Sequence, residues 1–131
     1  MNRVFVLEND SSQVEPVLND LEAHLKEEGF GSEIVHDLRL ISEELLLNTV
    51  CYGYDDGVKD QLSVRVIREK GELVLEFRDQ ACAFNPLDAE DRDPECERLG
   101  GWGIPLLKEL TDDIQYRREG KQNVLIVRKS A

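Results

Sequence analysis

Glu44 and Asn48 stand four positions apart within the stretch LISEELLLNTVCYGY. On a helix turning about 100° per residue they are separated by about 40°, one turn from each other. A carboxylate beside an amide oxygen suits magnesium-dependent transfer from a phosphate to a hydroxyl: the acid orients or deprotonates the nucleophile and the amide oxygen is a hard ligand. Asp79 opens the stretch DQACAFNP at the end of a strand-like pattern. There it can accept a hydrogen bond from an exocyclic amine such as that of adenine. Gly100-Gly101-Trp102-Gly103 precedes a helical pattern with Pro105 near its first turn, and free backbone N–H groups in such a turn suit phosphate. Each feature has a plainer reading. Glu44 and Asn48 can bond each other or a loop, Asp79 can be a turn acid, and a glycine-rich turn alone is weak evidence. Together, in one short chain, they point to a site.

The elements that must position these groups follow from periodicity. Residues 3–8 read as a strand, and a helix from about Val14 to Glu28 carries Val17, Leu18, Leu21 and Leu25 at helical spacing. Ser32 is expected to cap a second helix running to about Tyr52. That helix shows one apolar face at Ile34, Leu38, Ile41, Leu45 and Tyr52, and another strip at Leu40 and Leu47. Asp37, Glu44 and Asn48 lie between them. Polar groups flanked by apolar ones are costly unless paired or facing a polar cavity. Residues 61–68 and 73–78 alternate around Glu69-Lys70-Gly71-Glu72 as a hairpin, and 114–117 with 124–128 form a second around Glu119-Gly120-Lys121. A short helix is expected from Gly103 to Asp112. Between Asp88 and Arg98, six acids and two arginines predict a mobile, solvated loop with a local balance of −4.

This order predicts an α/β two-layer sandwich. Its sheet of about five strands is mixed but mostly antiparallel, with three helices on one face. At 131 residues the chain is read as a single domain, 1–131. Its first seven residues are too short and too quickly acidic for a secretory leader, and no apolar run reaches membrane-spanning length, so a cytoplasmic protein without membrane contact is expected. The formal net charge of −12 argues against direct nucleic-acid binding. Cys51, Cys82 and Cys96 are odd in number and widely spaced, and reduced thiols are expected. His24 and His36 lie among polar helix formers and are assigned to the surface.

The succession LISEELLLNTVCYGY, FRDQACAFNP and PECERLGGWGIPLLKELTDDIQYRREGKQNVLIVRK resembles the histidine-kinase-like (GHKL) ATPases, and most closely their anti-sigma-factor serine/threonine kinase branch. The likeness spans residues 32–129. It implies ATP bound between the second helix and the sheet, with Glu44 as general base, Asn48 as Mg²⁺ ligand and Asp79 as the acid that reads adenine. It further implies Gly101 and Gly103, with Trp102 between them, near the phosphates, and Arg98 as a lid arginine meeting the terminal phosphate. Ala81, Phe84 and Pro86 fall in the adenine-side box. Implied partners are a STAS-domain anti-sigma antagonist, phosphorylated on serine or threonine, and a sigma factor held inactive; a homodimer is implied as well.

Three positions depart from the family pattern. Ala81 stands where glycine is common, so its methyl would crowd the base, and a requirement for positive φ there would cost about 1 kcal/mol. Cys51 replaces a frequent basic residue, and Trp102 replaces an aliphatic one. Two other readings stand beside the kinase: a GHKL-fold binding module without catalysis, and a sensor histidine kinase fragment. The second is disfavoured because no helix with a phosphoacceptor histidine precedes the domain.

Overall fold

The computed structural model describes residues 2–54, 57–82 and 108–130. Strand β1 (Asn2–Glu8) sends Phe5 and Leu7 into the core and Val4 and Val6 outward, the period of two that its sequence dictates. A single 3-10 turn at Ser11–Gln13, capped by the Asp10 side chain accepting from the Ser12 N–H, leads into α1 (Val14–Glu27). Helix α2 (Ser32–Tyr52) follows. Its N-cap is Gly31 in extended conformation without a side-chain capping bond, so Ser32 is the first helical residue rather than the cap.

The remaining strands are β2 (Gln61–Glu69), β3 (Glu72–Asp79), β4 (Asp113–Glu119) and β5 (Gln122–Ser130). They form one sheet in the order β1-β2-β3-β5-β4, and all four pairings are antiparallel, so the expected parallel component is absent from the described strands. Both predicted hairpins close through two-residue turns, Lys70-Gly71 and Gly120-Lys121. Their glycines adopt φ of 70° and 60°, which other residues rarely take. Of the predicted third helix, residues 108–110 are helical, Thr111 and Asp112 are not, and 103–107 lie outside the described residues.

Helices α1 and α2 cover one face of the sheet. Val14, Leu18, Leu21 and Leu25 of α1 pack with Val35, Leu38, Ile41 and Leu46 of α2 over Val64, Val66, Leu73 and Leu75. Truncating a fully enclosed residue such as Leu38 to alanine costs about 2–5 kcal/mol in sites of this kind. The buried line of α2 runs through Val35, Ser42, Leu46 and Thr49 as well as Leu38 and Ile41, while Ile34 and Leu45 are half-buried. Polar Ser42 and Thr49 on that line disguise it in the sequence.

His24 is buried, contrary to its surface assignment. Position 24 shares the inward side of α1 with Leu21 and Leu25, where the Phe5 ring meets the imidazole edge to face at 5.9 Å and Arg3 Nη1 lies 3.3 Å from Nδ1. His36 is exposed as expected. On the opposite sheet face, Val124 is fully buried and stands between the register partners Arg78 and Arg117. Arg78 pairs with Glu76 and Glu119.

Candidate functional site

The place of β5 between β3 and β4 decides what surrounds Asp79. Because β5 pairs with β3 on one side and β4 on the other, Asn123 near its start stands directly opposite Asp79 at the end of β3. Both are buried. Asn123 Nδ2 donates to Asp79 Oδ1 at 2.9 Å, and the same carboxylate oxygen accepts the Ala81 backbone N–H at 3.0 Å.

The segment after Asp79 is fastened residue by residue to different elements. The Gln80 N–H donates to Asp60 Oδ2 at 2.8 Å, and the Cys82 N–H donates to the carbonyl of Gly53, just past α2, at 2.9 Å. The Ala81 carbonyl accepts from Arg118 Nη1 at 2.9 Å and from Asn123 Nδ2 at 3.3 Å, and the Cys82 carbonyl accepts from Asn123 Nδ2 at 3.0 Å. Asp60 is itself held by the Tyr54 hydroxyl at 2.5 Å. A segment with its three N–H groups and the carbonyls of Ala81 and Cys82 engaged keeps one shape before any ligand arrives.

Ala81 is buried, and no non-glycine residue among those described has positive φ. The expected strain at this position is therefore absent. Its methyl lies against Gly53 and not among the residues lining the neighbouring cavity.

That cavity, about 30 Å³, lies between α2 and the sheet and is lined by Asn48, Thr49, Phe77, Asp79 and Asn123 among others. It has room for a water or two, so a purine must widen it. Asn48 Oδ1 is buried there with no hydrogen-bond partner among the described residues. Orphaned buried oxygens are uncommon and call for an occupant. A hard cation such as Mg²⁺ fits this oxygen. Among the described residues no group of three or more His, Cys, Asp or Glu could hold a metal, and of the cavity lining Asn48 offers the unpartnered oxygen.

The three polar residues of α2 meet different fates. Asp37 pairs with Lys129 of β5 at 3.5 Å, Asn48 faces the cavity, and Glu44 is exposed and does not line the cavity. Structure thus joins Asn48 and Asp79 but leaves Glu44 on the open side of the helix. Phe84, Pro86, Arg98, Gly101, Trp102 and Gly103, and the loop from 88 to 98, lie outside the described residues. Cys51 is free and exposed, whereas Cys82 is disulfide-bonded, which corrects the expectation of reduced thiols throughout.

Asn123, Tyr116 and Arg118 escaped the sequence reading. Their one signal was an asparagine opening the apolar strand run VLIV, since asparagine is depleted in strands.

Comparison with known proteins bears on this arrangement. The family model described as "Histidine kinase-like ATPase domain" matches residues 7–129. The chain belongs to that family. Among curated histidine-kinase-like relatives, the serine-protein kinase RsbW of Listeria monocytogenes serotype 4a is 33% identical over 109 residues, covering 74% of this chain and 68% of the relative. RsbW of Listeria innocua serovar 6a is 32% identical over the same length and coverage. A crystal structure of RsbU and RsbW domains from Mycobacterium tuberculosis superposes with a TM-score of 0.71 at 14% identity, over 99% of this chain and 32% of that one. The histidine kinase domain of a blue-light-activated kinase from Erythrobacter litoralis gives 0.58 at 13% identity, over 89% of this chain and 60% of that one. These two likenesses establish the histidine-kinase-like fold. No described helix is long and apolar enough to cross a membrane.

Proposed function

We propose that this domain binds Mg-ATP and acts as an anti-sigma-factor-type protein serine/threonine kinase. The observation that carries this reading is the meeting of the orphaned Asn48 Oδ1 and the pre-set Asp79 carboxylate on one cavity between α2 and the sheet. The kinship with RsbW serine-protein kinases supports it.

In the proposed reaction a partner serine or threonine oxygen attacks the terminal phosphorus, the bond to the leaving ADP oxygen breaks, and the hydroxyl proton passes to the Glu44 carboxylate as ADP departs. Mg²⁺, when bound, would neutralise phosphate charge, with Asn48 Oδ1 as its protein ligand. Asp79 accepts from the exocyclic amine of adenine. Glu44, on the exposed side of α2, orients the incoming hydroxyl, a position that suits a group serving a second protein rather than the nucleotide. Gly101, Gly103 and Arg98 are assigned to the phosphates by resemblance, as is Trp102, which follows Gly101 in the sequence, and Phe84 is assigned to the base side.

The acceptor is a STAS-domain anti-sigma antagonist, and partner switching with a sigma factor is the regulatory role. The net charge of −12 suits a basic protein face and opposes nucleic acid. We assign the domain to the cytoplasm, as one unit over 1–131 and as a homodimer. Calorimetric titration with Mg-ATP, followed by phosphate transfer to a STAS protein, tests this: saturable binding and transfer are expected, and absence of binding overturns it.

A second reading is favoured by two specific observations, the exposure of Glu44 away from the cavity and the cavity's small volume. In it the domain is a regulatory binding module without catalysis. ATP binding without transfer to the STAS protein would select it.

A further inference from the structure

We infer that Asn123 is the positioning residue that fixes Asp79 as a hydrogen-bond acceptor, and so sets selectivity for a 6-aminopurine over a 6-oxopurine nucleotide. The inference rests on the nucleotide-binding reading given above.

The amide of Asn123 has only one orientation compatible with its neighbours. Its Oδ1 accepts from the Tyr116 hydroxyl at 2.5 Å and from Arg118 Nη1 at 2.9 Å. A guanidinium can only donate, so Arg118 fixes Oδ1 on its side and Nδ2 must face the other way, while the Tyr116 hydroxyl donates to the oxygen so placed. There it meets three oxygens: Asp79 Oδ1 at 2.9 Å, the Cys82 carbonyl at 3.0 Å and the Ala81 carbonyl at 3.3 Å. Rotating the amide would set Oδ1 against three acceptors and Nδ2 against the Arg118 guanidinium, which cannot accept. Asn123 is also 4% exposed, so water cannot replace these bonds freely.

The consequence for Asp79 is chemical polarity. Its Oδ1 receives two N–H donors, from Ala81 and Asn123, and each favours a carboxylate that accepts over a carboxylic acid that donates. Adenine offers an N–H at its 6-position, whereas guanine offers an oxygen lone pair. An acceptor fixed at Asp79 attracts the first and repels the second. The same amide holds the carbonyls of Ala81 and Cys82, so it also fixes the backbone that carries the carboxylate. Asn123 therefore governs both the place of Asp79 and the sense of its hydrogen bonding.

The test uses the full chain and two substitutions, with folding followed by thermal melting. Asn123→Asp is isosteric: it keeps the acceptor that serves Tyr116 and Arg118 but removes both N–H groups facing Asp79 and the two carbonyls. Mg-ATP and Mg-GTP are titrated calorimetrically into each protein. Wild type is expected to prefer ATP, and in Asn123→Asp the ATP:GTP affinity ratio is expected to fall by about tenfold or more, the loss of one charge-assisted bond. Tyr116→Phe removes one of the two donors that orient the amide, should lower the ratio by a few-fold, and serves if Asn123→Asp does not fold. An unchanged ratio in folded variants that still bind ATP overturns the role of Asn123 and leaves the nucleotide-binding reading standing. Failure of wild type to bind either nucleotide overturns both.

Discussion

The methyl group of Ala81 rests against the backbone of Gly53: a Cβ placed on Gly53 would lie 2.8 Å from that of Ala81 and 2.5 Å from the Thr49 carbonyl oxygen. The two residues also flank the hydrogen bond from the Cys82 N–H to the Gly53 carbonyl. One close approach therefore joins the end of the helix bearing Asn48 to the segment bearing Asp79. A methyl group at 81 is accommodated by its absence at 53, and the two halves of the cavity are held at a fixed separation.

Gly53→Ala is expected to destabilise the fold by about 1–3 kcal/mol, because one of the atoms met is backbone and cannot move aside cheaply. Ala81→Gly should cost about 1 kcal/mol through the lost methyl contact and the freed chain. Urea unfolding reads both; the double variant is expected to lose less than the two single losses combined, and simple additivity would show that the contact does not matter.

Asp79→Asn keeps an oxygen for the Ala81 and Asn123 N–H groups but replaces the carboxylate's second acceptor by a donor. ATP affinity should fall by at least about tenfold, the magnitude of a bond to a charged acceptor. The calorimetric titration that tests ATP binding reads this directly, and retained affinity would remove Asp79 from the base.

The elements were legible because each buries one regular stripe. Phe5 and Leu7 alternate, Leu18, Leu21 and Leu25 recur at helical spacing, and Gly71 and Gly120 mark two-residue turns. Asn48 and Asp79 were legible as polar residues at the margins of apolar patterns, and they meet on one cavity. Asn123 was not, because its importance arises from lateral strand order: β5 lies between β3 and β4, an adjacency that no local pattern encodes. The polar stripe of α2 was overread for the same reason, since Lys129 of β5 claims Asp37 as an ion-pair partner.

Acid should weaken the fold partly through exposed carboxylates. The Ser130 hydroxyl and N–H, at 2.6 and 2.5 Å, hold the Asp112 carboxyl below the usual range, and Arg78 and Arg117 do the same for Glu119. A depressed folded pKa means stability that is present above the unfolded values, about 3.9 and 4.3, and is lost as pH falls through the lower folded ones. Asp112→Asn with Glu119→Gln should therefore lower the melting temperature slightly at pH 7 and flatten its decline below about pH 4. Parallel melting curves against pH for variant and wild type would contradict this.

Glu44 separates binding from chemistry. Its side chain is exposed and outside the cavity that Asn48 and Asp79 line, so removing its charge should leave nucleotide affinity within about twofold. If it orients or deprotonates the partner hydroxyl, Glu44→Gln should lower phosphate transfer to a STAS protein by about 10²-fold or more, the typical scale of a positioned base. The change belongs in the transfer step rather than in partner affinity, and single-turnover transfer at saturating partner distinguishes the two. Unaltered transfer would take Glu44 out of the reaction, and equal loss of ATP binding would place it at the nucleotide after a rearrangement of α2.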